Sequence, residues 1–409
     1  MIRFVHSADW QLGARFKQFG TKGDTLREAR LQTLRRALEV ARDCEADAFF
    51  VAGDLFEDNQ VGETLVESVV DLFREFSPLP IFLLPGNHDP FDGPDSVWKR
   101  RPFLKAPPNV HLLLEAGTFD LGGGAVLVAS PLQQKVSTTD PSLKLRDLAV
   151  SVPSGTIKVG LTHGALAIEG KHQPNDFPIA LDAASRAGLD YLGVGHWHNW
   201  LAGTDGGRLV MPGTPEPDQF ANERAGNVAL VEIDAAGQHP RVQPLPVATL
   251  TWKTLSFDFL AADSSRVTLE QALAELLPGA RHTVLRITLS GTASPRAVTE
   301  IRTWLETATA PYLVCQIADA TRVALTLPEL QDLQMRHPIL AQVLADIDHL
   351  ETLATGAVAA SPGSAAAALT LAEAQVLLAP SKIDLAQLSP EFFDQLRQVT
   401  LQALQEVSE

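Results

Sequence analysis

Short, almost wholly apolar runs alternate with longer amphipathic stretches through the first 235 residues. Ile2–His6, Ala48–Ala52 and Ile81–Leu84 read as strands. Between them, Leu26–Cys44 carries Leu31, Leu34 and Leu38 on one face and reads as an amphipathic helix, as does Thr64–Phe76. Further strand-like runs follow at Ala125–Ala129, Ile157–Thr162, Tyr191–Val194 and Val228–Ile233. Apolar strands broken by helices indicate an α/β sheet with helical cover. The runs VLVAS and VALVEI could pair antiparallel, which allows a mixed sheet or a two-sheet sandwich.

The pattern changes after a Pro-rich patch, HPRVQPLP (His239–Pro246), which reads as a domain boundary. Beyond it Leu250–Phe257, Val284–Leu289 and Tyr312–Ile317 read as strands, and Thr268–Leu277 and Pro295–Glu306 as helices. These make a smaller α+β domain over 246–327, after a first domain over 1–245. From Pro328 to Glu409 the chain reads as helical, interrupted by a small-residue stretch at Ala357–Ala368 that suggests a flexible joint. Leu340, Val343, Leu344 and Ile347 fall at helical spacing. They suit packing on this chain's own domain or docking on a partner.

Composition narrows the classes. A chain of 409 residues suits two or three domains, and 45% hydrophobic with 20% charged residues suits a soluble globular protein. No uninterrupted apolar segment reaches membrane-spanning length. The N-terminus enters a strand at once, without the zones of a secretion signal, so a cytoplasmic protein is expected. Cys44 and Cys315 lie far apart near apolar runs and read as two buried thiols. The formal charge of −16 argues against a protein that coats nucleic acid. However, eleven acidic and three basic residues place −8 of it beyond Pro328, so the acidity belongs chiefly to the C-terminal region.

Polar residues recur just after the strands of the first domain, where α/β sheets place their sites. Asp9 and Gln11 follow the first strand, Asp54 the second (GDLFED), and Asn87, His88 and Asp89 the third (PGNHD). His163 follows IKVGLT, and His196 and His198 (GHWH) follow YLGV. Carboxylate, amide oxygen and imidazole together suit Mn, Fe or Zn rather than Ca or a thiolate site. Two such ions about 3.5–4 Å apart can clamp a phosphate and activate water. A bridging carboxylate is needed to hold them, and Asp54 is the candidate.

The order D-x-Q, GD, GNHD, HG, GHxH resembles that of the calcineurin-like metallophosphoesterases. It is most similar to the SbcD/YhaO-type branch of DNA repair exonucleases. SADWQLG, DAFFVAGDLFED, LLPGNHDP, LTHGAL, DYLGVGHWH and MPGTPEP carry the resemblance, which spans residues 1–235. It implies a metallophosphoesterase β-sandwich core flanked by helices, an α+β capping domain and a helical C-terminal region. The implied activity is metal-dependent hydrolysis of DNA phosphodiesters, as exonuclease or endonuclease; the alternative is a phosphatase or phosphodiesterase for small substrates that uses the same ions. The implied cofactors are two divalent ions, Mn foremost, with Fe, Zn or Mg as alternatives. By position, Asp9, Gln11, Asp54 and His198 would hold the first ion, and Asp54, Asn87, His163 and His196 the second. His88 would be the catalytic helper that contacts the scissile phosphate or protonates the leaving oxygen, its ring oriented by Asp89. Gln11 stands where the family has His, and a neutral amide oxygen is a poorer ligand. Either the first site is weakened, or one ion alone binds stably and catalysis is feeble. His6, three residues before Asp9, reads as packing beside the site.

VWKRRPFLK (Val97–Lys105) places Lys99, Arg100, Arg101 and Lys105 after the GNHD turn, and Arg15, Lys17 and Lys22 could extend this basic stretch. It reads as a solvated surface or as a phosphate-tracking patch for DNA, with Trp98 and Phe103 interleaved. Trp197 and Trp200 read as packing the GHWH loop. The resemblance also implies a coiled-coil ATPase partner of the SbcC/YhaN kind, bound through the acidic tail, and allows a homodimer; no membrane association is expected.

Overall fold

The computed structural model describes residues 1–171, 173–323 and 335–355, with 389, 392, 393, 395–397 and 400 beyond. Two compact units divide it: Met1–Lys253 with His282–Val284, and Thr254–Arg281 with Leu285–Glu409.

In chain order the first unit contains β1 (Ile2–Ser7), α1 (Gly23–Asp43), β2 (Ala48–Ala52), α2 (Glu63–Glu75), β3 (Ile81–Leu84), α3 (Arg101–Leu104), β4 (Val110–Leu112), β5 (Gly117–Gly122) and β6 (Ala125–Ser130). It continues with α4 (Ser142–Ala149), β7 (Ile157–His163), α5 (Ala183–Ala187), β8 (Tyr191–Gly195), β9 (Leu201–Thr204), β10 (Leu209–Met211), β11 (Asn227–Ile233) and β12 (Arg241–Pro246). One sheet has the order β12-β11-β1-β2-β3-β4 and the other β5-β6-β7-β8-β10-β9. Both are mixed. β1 to β4 run parallel, with β11 antiparallel to β1. β6, β7, β8 and β10 run parallel, with β5 antiparallel to β6.

Side-chain alternation explains why the strands read as continuous apolar runs. Phe4, Phe50, Phe82 and Leu84 face the space between the sheets, with Leu127, Val159, Leu161 and Tyr191. Their neighbours Val5, Phe49, Val51, Ile81 and Leu83 face α1 and α2. The outer face of the second sheet is covered by α4 and α5 through Val128, Leu145, Ala184 and Leu192. Strands buried on both faces lose the apolar-polar alternation of a half-exposed sheet. The parallel strands β1, β2, β3, β7 and β8 bring their C-terminal ends to one edge, where the polar motifs stand.

The Pro-rich stretch expected to be a boundary is instead an edge strand. β12 pairs with β11 in continuous register from Asn227↔Pro246 to Glu232↔Arg241. Proline is tolerated there because one side of an edge strand needs no ladder donor. The first unit continues to Lys253.

The second unit contains most of β13 (Thr251–Asp258), α6 (Ala262–Leu276), most of β14 (Thr283–Ser290), β15 (Thr292–Ala293), α7 (Pro295–Thr309), β16 (Val314–Asp319), β17 (Arg322–Val323) and α8 (Pro338–Thr355). β13, β14 and β16 form a three-stranded sheet. Phe257, Leu269, Leu273, Leu285, Ile287 and Leu305 form its core. Ser294 caps α7 by accepting from Ala297 N, and Pro295 opens the helix where its missing N–H costs nothing. On α8, Leu344 and Ile347 are buried and Val343 is exposed. Arg397 binds the carboxylates of Asp348 and Glu351. The Ala357–Ala368 joint and most of the acidic tail lie outside the described residues. No helix among the described residues is long and apolar enough to cross a membrane.

Candidate metal centre

Four motif residues leave the strand ends with backbone that side chains seldom adopt. Asp9, Gln11, Asp54 and His196 have φ of +57°, +41°, +54° and +114°. Such strain persists where surrounding structure imposes it. Here Asp9 N donates to Gly53 O and Gln11 N to Asp54 O, locking the first two loops together. The glycines explain the rest. A Cβ on Gly53 would lie 2.1 Å from His163 Nδ1, and one on Gly86 would lie 2.1 Å from Asp54 Oδ1. GD and GNHD therefore need glycine so that the site can close around Asp54 and His163.

The ligand atoms of Asp9, Asp54 and His163 lie within 4.8 Å of one another, and all three residues are buried. The Asp9 carboxylate accepts from His196 N at 2.8 and 3.0 Å. Asp54 Oδ1 accepts from His88 N at 2.9 Å. His163 Nε2 faces Asn87 Oδ1 at 2.9 Å and Asp54 Oδ2 at 3.3 Å. His196 Nδ1 faces the same Asn87 oxygen at 2.9 Å. His198 Nε2 faces Gln11 Nε2 at 3.1 Å.

The far nitrogens decide the tautomers. His163 Nδ1 lies 2.8 Å from Ala52 O, a group that only accepts, so this nitrogen carries the proton. His196 Nε2 lies 2.9 Å from Asp176 Oδ2, which sets it in the same way. His163 Nε2 and His196 Nδ1 therefore turn toward the oxygens of Asp54 and Asn87. A proton on His163 or a cation can stand between these atoms, and carboxylate, amide oxygen and imidazole together fit a divalent metal. The electrostatics agree. Burial pushes the Asp9 carboxyl up, with the nearby Asp54 charge adding to it. Burial also works against charge on His163, but Asp54, Asp9 and the Ala52 carbonyl outweigh it and push its pKa up to about 9. The pocket selects positive charge.

Residues 2–200 match the calcineurin-like phosphoesterase family. The first unit is a calcineurin-like phosphoesterase domain. The chain is 27% identical over 261 residues to the DNA double-strand break repair protein Mre11 of Methanopyrus kandleri, covering 58% of this chain and 55% of that protein. It is 28% identical over 91 residues to the SbcD subunit of the SbcCD nuclease of Staphylococcus saprophyticus, covering 22% and 23%. The chain thus spans about half the length of the first relative and about a quarter of the second. Among solved structures, TT1561 of Thermus thermophilus covers 60% of this chain and 99% of its own at 13% identity and a TM-score of 0.40. A dimetal phosphatase from Danio rerio covers 59% and 98% at 12% identity and 0.37.

In this phosphoesterase domain Asp9, Asp54 and His163 cluster, Asn87 and His196 join them by direct contacts, and Gln11 meets His198, whereas Asp89 and Arg100 turn elsewhere. Asp89 does not orient His88. Its Oδ1 accepts from Gly86 N at 2.8 Å and its Oδ2 from Phe56 N at 3.0 Å, deep in the core. Burial, with the Asp54 charge behind it, pushes the Asp89 carboxyl up to about 7. Asp89 is a brace between two motif loops. The His88 ring is held instead by the Glu57 carbonyl, 2.9 Å from Nδ1, which leaves Nε2 as its reactive nitrogen.

The basic stretch also divides. Arg100 donates to the carbonyls of Val61 and Asn59 and is largely covered, so it pins a loop. Trp98 and Phe103 are core residues, with Trp98 Nε1 donating to Asp89 O. Lys99 reaches Gly93 O and lies over the Phe91 ring. Arg101, Lys105, Lys17 and Lys22 are exposed, and Arg15 stands 3.9 Å from Asp58. Trp197 and Trp200 pack against core clusters, as expected of a loop anchor.

Three residues near the site escaped the sequence reading. Arg30 sits on the apolar stripe of α1, fully buried, and donates to Trp10 O and Glu216 O, both at 2.9 Å. Asp176 and Asp218 contact the far nitrogens of His196 and His198. An arginine on an apolar stripe was the available signal for the first. Asp218 lies one residue past the MPGTPEP motif.

Proposed function

We propose that this chain is a metal-dependent phosphodiesterase acting on DNA, as exonuclease or endonuclease, in DNA repair or processing. One observation carries the hydrolytic reading: Asp54, Asn87, His163 and His196 converge through contacts of 2.9–3.3 Å into a donor set suited to a divalent cation. The DNA substrate is supported by similarity over 261 residues to a protein named for double-strand break repair. Asp9, Gln11, Asp54 and His198 would hold one ion, and Asp54, Asn87, His163 and His196 the other, with Mn the ion of choice over Fe, Zn or Mg. Bound divalent ions supply Lewis acidity and lower the pKa of water. The chain's own residues do the rest. The three imidazoles are fixed by their far nitrogens, and His88, held through Nδ1, presents Nε2 to protonate the leaving oxygen. Arg15, Arg101 and Lys105 are exposed cations suited to the DNA backbone.

We place three parts in this reading: the phosphoesterase domain, an α+β cap and a C-terminal region that binds a coiled-coil ATPase of the SbcC/YhaN kind in the cytoplasm. A second reading, a weakly active scaffold, is favoured by one observation. Gln11 turns its amide nitrogen to His198 Nε2. The full chain with added Mn should cleave bis-p-nitrophenyl phosphate and labelled duplex or single-stranded DNA, with EDTA abolishing both. Turnover of phosphomonoesters alone would sink the nuclease reading, and no turnover of any substrate would favour the scaffold.

A further inference from the structure

We propose that Asp218 is a positioning residue that strengthens His198 as a metal ligand, offsetting the weak ligand at Gln11. The proposal rests on the two-metal reading above. His198 Nδ1 lies 3.4 Å from both carboxylate oxygens of Asp218, and its Nε2 faces Gln11. The carboxylate draws the imidazole proton to Nδ1 and leaves the Nε2 lone pair turned toward the site. A carboxylate behind a ligating histidine fixes its tautomer and raises its donor strength. At the first site that gain falls where an imidazole has been exchanged for a neutral amide.

The arrangement is built rather than incidental. Asn222, itself buried, donates to Asp218 Oδ1. The segment just before it is anchored by Glu216, whose buried carboxylate accepts from Thr33 Oγ1, Thr249 N and Leu250 N. Arg30 then binds Glu216 O and Trp10 O together. Trp10 stands between Asp9 and Gln11 in the chain. The loop bearing Asp218 and the loop bearing the first-site ligands are thus held by the same buried guanidinium. Behind the other site histidines stand the Asp176 carboxylate, 2.9 Å from His196 Nε2, and the neutral Ala52 carbonyl, 2.8 Å from His163 Nδ1.

The test is calorimetric titration of the full apo chain with Mn alone. His198→Ala and Asn87→Ala assign the two transitions to the first and second sites. Asp218→Asn should weaken the first transition by about 10–100-fold and leave the second in place. Asn222→Ala, which frees the Asp218 carboxylate without removing it, should weaken the same transition less and guards against a folding defect in Asp218→Asn. In a Gln11→His background the Asp218→Asn loss should shrink. First-site affinity unchanged in Asp218→Asn, or a loss undiminished by Gln11→His, would overturn the proposal. A wild-type chain that takes up a single ion overturns the two-metal reading, and the proposal with it. That outcome is distinct, because it appears before any substitution is made.

Discussion

His6 makes stability fall as the solution is acidified, by an amount the structure sets. It is fully buried, with Nδ1 2.8 Å from the Tyr191 hydroxyl and Nε2 without a partner among the described residues. A charged ring would bury an unsatisfied N–H, and burial takes its pKa down to about 3. An unfolded histidine titrates near ~6.5. Between these values the unfolded chain binds a proton that the folded chain refuses. The stability contributed by neutral His6 is therefore intact above pH ~6.5 and is lost as pH falls toward 3. Each pH unit inside that window costs about 1.4 kcal/mol, so the step from pH 7 to 5 costs about 2 kcal/mol. His6→Gln removes the titration and keeps a group able to bond Tyr191. Any constant cost of the substitution cancels when only the pH dependence is compared. Guanidinium unfolding of wild type and His6→Gln, in EDTA from pH 5 to 8, measures the difference. The gap between the two stabilities should change by about 2 kcal/mol from pH 7 to 5, in favour of the variant at the acid end. Parallel curves would show that His6 titrates normally in the folded state and refute the reasoning.

Asp54→Asn should abolish both Mn transitions in calorimetry and lower nuclease activity by more than the ~100-fold expected of an outer partner. Retained binding of two ions would remove Asp54 as the bridge. His88→Asn should lower kcat by about 10²–10⁴-fold while Mn affinity stays constant, as a proton-transfer role requires. Gly53→Ala places a Cβ 2.1 Å from His163 Nδ1 at φ +92° and should destabilise the chain by about 2–4 kcal/mol in denaturant titration. Arg100→Ala should cost about 1–3 kcal/mol of stability and leave DNA affinity unchanged, whereas Arg101→Ala should weaken DNA binding at constant stability.

Much of the site was legible because its residues stand at fixed points on local elements. Apolar runs marked the strands, and Asp9, Asp54, Asn87, His163, His196 and His198 follow strand ends that parallel pairing gathers at one edge. The role of the glycines of GD and GNHD was not readable, since Gly53 is required by His163 and Gly86 by Asp54, contacts made only on folding. The errors share that origin. Pro244 and Pro246 read as a domain boundary because a strand edge is not visible in its own sequence; β12 exists only because β11 offers a partner. Asp89 adjoins His88 in sequence, yet its carboxylate turns to Gly86 N and Phe56 N. Arg100 looked like a surface cation until its guanidinium met the carbonyls of Asn59 and Val61.

The sequence by itself determined which chemical groups the strands would deliver and in what order. Only the tertiary structure decided which nitrogen of each histidine faces inward. That choice rests on Ala52 O for His163, Asp176 for His196 and Asp218 for His198, the first of them 111 residues away in the chain. The physical reason is that a sequence names the imidazole but not which of its two nitrogens meets a partner. Folding assigns their roles by bringing an acceptor to one and leaving the other to the site.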